Sequence, residues 1–113
     1  MKIELLYFDG CPNYEALAPR LRVLLERAGV SDEILLRRVE SEDDARSLRF
    51  LGSPTVRVEG EDVEPGARDR SDSGLKCRLY RTRDGLLGVP PDEVILVALA
   101  RAAHPGPALP PAA

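Results

Sequence analysis

The sequence predicts an α/β domain built on a four-stranded mixed sheet, and three observations carry this. An apolar run at residues 3–8 passes through a short turn into an amphipathic run at 13–28. Two further apolar runs, 33–40 and 55–59, have strand length, and chemistry typical of a helix start lies between them. Strands alternate with helices early and follow one another directly later. That order predicts a parallel pair joined by a right-handed crossover, then an antiparallel hairpin.

Each element has its own reason. Residues 2–8 begin by alternating, Lys2 and Glu4 against Ile3 and Leu5, then become wholly apolar, as a strand does when its far end is buried on both faces. In the first helix Tyr14, Leu17, Ala18, Leu21, Leu24, Leu25 and Ala28 form one stripe, and Gly29 stands at the C-cap position. Pro19 interrupts that helix and removes one of its hydrogen bonds. Ser41 followed by Glu42, Asp43 and Asp44 reads as an N-cap with acids in the first turn, opening a short helix to about residue 50. Residues 55–59 form the third strand, with Val56 and Val58 on one face. Gly60-Glu61 reads as a turn, residues 62–64 as a return strand, and Pro65-Gly66 as its stop. The last helix carries Val94, Ile95, Ala98, Leu99 and Ala102 on one stripe. Between these lies an insert, 67–88, in which residues 76–83 read as a strand or half of a flap turning at Asp84-Gly85. The expected organisation is one domain, 1–103, and a disordered Pro/Ala-rich tail, 104–113.

Composition narrows the function classes. The chain has 113 residues, 43% of them apolar, and a net charge of −3 with both signs interspersed. A general nucleic-acid binder would need a basic stripe, so no nucleic-acid partner is expected. No apolar run approaches a membrane span and no signal peptide is read, so the expectation is a cytoplasmic protein without a membrane partner. Arg outnumbers Lys fourteen to two, a hint of a GC-rich bacterial genome. Two cysteines make no disulfide framework; in a reducing compartment such thiols are catalytic, sensing or buried.

Cys11 is the candidate nucleophile. It sits at the turn from strand to helix, where unpaired first-turn amides and the helix dipole favour a thiolate. Pro12 follows at the position where a helix tolerates proline best. The competing reading of Cys11 is a small apolar residue closing the end of the sheet. Tyr14 reads as core. The arginines at 68, 70, 78, 81 and 83 read as solvated, or as a draw for an anionic thiol. Two Cys and one His do not complete a zinc site, so neither a metal nor a cofactor is expected.

At these residues the chain resembles the thioredoxin/glutaredoxin superfamily. Cys11-Pro12-Asn13-Tyr14 stands where that family places its Cys-x-x-Cys or Cys-x-x-Ser. Pro19 follows Cys11 at the offset of the family's kinking proline. Gly52-Ser53-Pro54-Thr55-Val56 looks like the loop with a cis-proline before the third strand. The resemblance implies a thioredoxin-like sheet of order 2-1-3-4 flanked by three helices, with strand 3 antiparallel to strand 1. That order places Ile3, Leu5, Val56 and Val58 in the middle, as their apolar character requires. It also implies a cis Ser53–Pro54 bond, with Pro54 beside the reacting sulfur and Pro12, Asn13, Tyr14, Ser53 and Thr55 lining the substrate.

The departure from the family is Tyr14 in place of the second cysteine. Cys11 then has no partner within the motif, and Cys77 or an external thiol must resolve a mixed disulfide. The expected function is a small thiol-redox protein acting on a low-molecular-weight or protein disulfide through Cys11. The alternatives are a module binding mercury, arsenite or copper(I) through Cys11 and Cys77, or organomercurial cleavage. The start of the chain and the Cys77-Arg78-Leu79-Tyr80 segment look like a thioredoxin-like group sometimes labelled alkylmercury lyase. That chemistry takes two thiolates and a carboxylate, types that Cys11, Cys77 and Asp9 or Asp72 supply. Cys77 is expected at the Cys11 end of the sheet, on a flap able to reach it; whether the two join in a disulfide stays open.

Overall fold

A computed structural model describes residues 1–103. Strand β1 (Ile3–Tyr7) leads into helix α1 (Pro12–Arg27), then β2 (Ile34–Arg38), α2 (Glu42–Ser47), β3 (Thr55–Val58) and β4 (Glu61–Asp62). A 3-10 turn (Ala67–Asp69), the hairpin β5 (Tyr80–Thr82) and β6 (Gly85–Leu87), and helix α3 (Asp92–Ala103) complete it. The main sheet has the order β2-β1-β3-β4. Its first pair is parallel, with Ile3 opposite Ile34 and Leu5 opposite Leu36. The β1–β3 pair is antiparallel, with Ile3 opposite Val58 and Leu5 opposite Val56. Ile3, Leu5 and Val56 are wholly buried, which only central strands covered by helices allow.

The pleat sends successive side chains of β1 to opposite faces. Leu5 packs with Leu17, Leu21, Leu24 and Leu25 of α1 and Ile95 and Leu99 of α3. Leu6 packs on the other face with Val39, Ala45 and Phe50, beside α2. Pro19 lies inside α1, yet the helix runs on to Arg27 because Leu21, Leu24 and Leu25 beyond it are anchored in the core. The Ser41 hydroxyl accepts the Asp44 amide at 3.0 Å, the expected cap. Among the described residues no helix is long and apolar enough to cross a membrane.

Several boundaries differ from expectation. The β3–β4 turn is Glu59-Gly60, not Gly60-Glu61; both residues are left-handed (φ 54° and 81°), as a two-residue type I′ hairpin turn requires. Similarly, the β5–β6 turn is Arg83-Asp84, because Thr82 pairs with Gly85. Residues 76–83 add no strand to the main sheet; β5 pairs only with β6, so 67–88 is an insert. Strand β2 lies at the sheet edge, leaving Leu35 and Leu36 about half exposed. His104 and the expected tail lie outside the described residues.

Candidate functional site

Cys11 follows β1 through a short loop in which Gly10 is left-handed (φ 84°). It is the N-cap residue of α1, extended in backbone (φ −82°, ψ 108°), and its side chain makes no capping hydrogen bond. The first-turn amides of α1 are therefore not satisfied by a cap side chain, and Pro12 removes one of them. The expected helix-start geometry is present, but Cys11 is only 2% exposed. Tyr14 is part-buried and packs against the core, its ring stacked on Tyr7 with centroids 3.8 Å apart and planes 5° from parallel. Burial, and then its contact with Tyr7, push the Tyr14 hydroxyl above its ordinary pKa.

The Ser53–Pro54 bond is cis. β1 and β3 are antiparallel neighbours, so the loop after Tyr7 and the loop before Thr55 share one end of the sheet. The Phe8 amide reaches the Ser53 hydroxyl at 3.4 Å and ties the loops together. The Thr55 hydroxyl donates to the Gly52 carbonyl at 2.6 Å. Ser53 and Thr55 are both buried, whereas Pro12 is exposed and Asn13 part-buried.

Cys77 arrives at this same end. The Ser53 amide donates to the Lys76 carbonyl at 2.8 Å, and the Arg78 amide donates to the Ser53 carbonyl at 3.0 Å. Cys77 thus faces Ser53 in an isolated parallel bridge. Its side of the site is open: Cys77 is exposed, Cys11 buried, and both are free thiols. The insert comes close to the site a second time at Gly88, where an added Cβ would clash with the Asn13 side-chain amide.

What holds the insert down is Arg78, and here the expectation of a solvated arginine fails. Its side chain is wholly buried and bonds Asp62 at 2.6 and 3.0 Å, Glu64 at 3.0 Å and the Thr55 hydroxyl at 2.9 Å. Its guanidinium lies 4.4 Å from the centroid of the Tyr80 ring. Burial disfavours the charge, but the bonds to Asp62 and Glu64 outweigh it and raise the pKa. Among the described residues the Arg78 Nε has no partner. Tyr80, buried as well, donates its hydroxyl to the Pro54 carbonyl, and burial raises its pKa. One signal for this cluster stood in the sequence. Asp62 with Glu64, and Arg78 with Tyr80, are spaced two apart, the period at which extended chain puts side chains on one face.

The carboxylates named for organomercurial chemistry are engaged elsewhere. Asp9 pairs with Arg38 at 2.9 Å. Asp72 binds Arg70 and Lys76, and those hydrogen bonds hold its carboxyl well below the usual range. Among the described residues no three His, Cys, Asp or Glu side chains converge as a metal site. A surface groove runs between α3 and residues 60–70, and neither cysteine lines it. No protein-family model, no curated protein and no solved structure matches the chain.

Proposed function

We propose that this chain is a thioredoxin-like thiol-redox protein in which Cys11 is the thiolate that attacks a disulfide. The observation that carries the reading is the position of Cys11. It caps α1 without a side-chain hydrogen bond, at the sheet end that also bears the cis Ser53–Pro54 bond. Two free thiols suit a reducing, cytoplasmic compartment. Organomercurial cleavage needs a carboxylate beside the two sulfurs, and Asp9 and Asp72 are held in ion pairs with basic side chains. Thiol exchange needs none.

The test is turnover. Reduction of hydroxyethyl disulfide by glutathione is followed with wild type and Cys11→Ser. Wild type is expected to accelerate the reaction, and Cys11→Ser to keep only a minor fraction of that rate. Wild type at background, or a fully active Cys11→Ser, would overturn the proposal.

A further inference from the structure

We infer that Cys77 is the thiol that first receives an external disulfide, and that Cys11 then attacks the mixed disulfide Cys77 carries. This rests on the thiol-exchange reading and reverses the order that the motif around Cys11 suggests. The first warrant is access. Exchange requires a thiolate to meet a disulfide sulfur directly. Cys77 is exposed, whereas Cys11 is 2% exposed, so a disulfide in solution meets Cys77 without any opening of the fold.

The second warrant is placement. Backbone hydrogen bonds on either side, from Ser53 to Lys76 and from Arg78 to Ser53, pin Cys77 opposite Ser53. Ordinary strand spacing puts their α carbons about 5 Å apart. Ser53 is in turn bonded to Phe8, three residues before Cys11. Arg78, buried against Asp62 and Glu64, fixes the segment from below, and Lys76 is paired with Asp72 at 3.0 Å. An exposed cysteine on an unanchored loop would have none of these ties. At the far end of the insert Gly88 lies close beside the Asn13 side chain in the first turn of α1. The two thiols therefore belong to one loop cluster, one outside and one inside.

The chemistry balances as follows. The Cys77 thiolate attacks one sulfur of R–S–S–R; a Cys77–S bond forms, the S–S bond breaks, and the departing thiolate takes a proton from water. Cys11, its proton passed to solvent, attacks the Cys77 sulfur. The Cys11–Cys77 disulfide forms and the second thiolate leaves. One external disulfide gains two electrons and becomes two thiols, and the two cysteines supply them. Two molecules of a low-molecular-weight thiol then reduce the internal disulfide. A Cys11–Cys77 disulfide requires the two α carbons within about 7 Å.

The experiment uses oxidised glutathione under single-turnover conditions, with peptide mapping by mass spectrometry. In Cys11→Ser, and in Cys11→Ala as a variant burying no hydroxyl, glutathione should accumulate on Cys77. Wild type should yield the internal disulfide without a lasting adduct. Cys77→Ser should react more slowly by about tenfold or more, since only the buried thiol remains. Cys77→Ser taking glutathione on Cys11 at the wild-type rate would overturn the order while leaving Cys11 the nucleophile. So would Cys11 variants that stay unmodified beside a reactive wild type. A wild type that neither exchanges here nor turns over hydroxyethyl disulfide would overturn both readings.

Discussion

Removing the Arg78 guanidinium leaves Asp62 and Glu64 without their buried cation. Breaking a buried pair from one side costs about 3–5 kcal/mol, because the remaining charge stays desolvated. Arg78→Met is therefore expected to lower the unfolding free energy by about that amount in urea titrations. Tyr80 gives a pH dependence of definite sign. Its hydroxyl, buried and bonded to the Pro54 carbonyl, has a folded pKa raised above the ordinary value of 10.0. The folded state thus holds this proton more tightly than the unfolded chain. The associated stability is complete below about pH 10 and is lost as pH rises through the folded pKa. Wild type should lose stability in alkali from about pH 10 upward. Tyr80→Phe should show a smaller alkaline loss, from a starting stability lower by about 1 kcal/mol for the missing hydrogen bond. Equal alkaline slopes in the two proteins would contradict this account.

Gly52 and Pro19 decide how two elements sit. Gly52 has φ 129°, and a Cβ there would lie 2.8 Å from the Arg78 Cβ and 3.0 Å from the Lys76 carbonyl. Both the conformation and the close approach need glycine. Gly52→Ala should destabilise the protein by about 1–3 kcal/mol. It should also speed hydrogen exchange at the Ser53 and Arg78 amides, which hold the bridge. Pro19 is exposed on α1, and its missing amide leaves the Glu15 carbonyl without its helical donor. Pro19→Ala restores that bond, so a rise in stability of about 1–3 kcal/mol is expected in thermal unfolding.

For the molecule as a whole, the fold leaves one thiol exposed and the other buried. Native-state alkylation should modify Cys77 readily and Cys11 more slowly by about tenfold or more, since Cys11 waits for a local opening. Mass mapping against time reads this directly, and equal rates would contradict the burial of Cys11. In the folding of the sheet, Ile3, Leu5, Val56 and Val58 announced one fully covered face, because a face packed under helices must be apolar. Leu35 and Leu36 signalled a strand but not its place at the edge, since an apolar pair reads alike whether or not a neighbour covers it.

Local chemistry was thus legible in the chain: the Cys11-Pro12 helix start, the Ser41 cap and the Gly29 end of α1 follow from neighbouring residues or simple periodicity, whereas the Pro54 loop and the four-strand order were implied by the resemblance. The burial of Arg78 was not. Its value as a buried cation depends on Asp62, Glu64 and Tyr80 meeting around it, and Asp62 and Glu64 precede it by 16 and 14 residues. The exposure of the two thiols belongs to the same class. A cysteine between Lys76 and Arg78 and a cysteine after Gly10 give no sign of which one faces water. That is settled only by the tertiary structure, in which Cys77 pairs with Ser53, because solvent access depends on surfaces far apart along the chain.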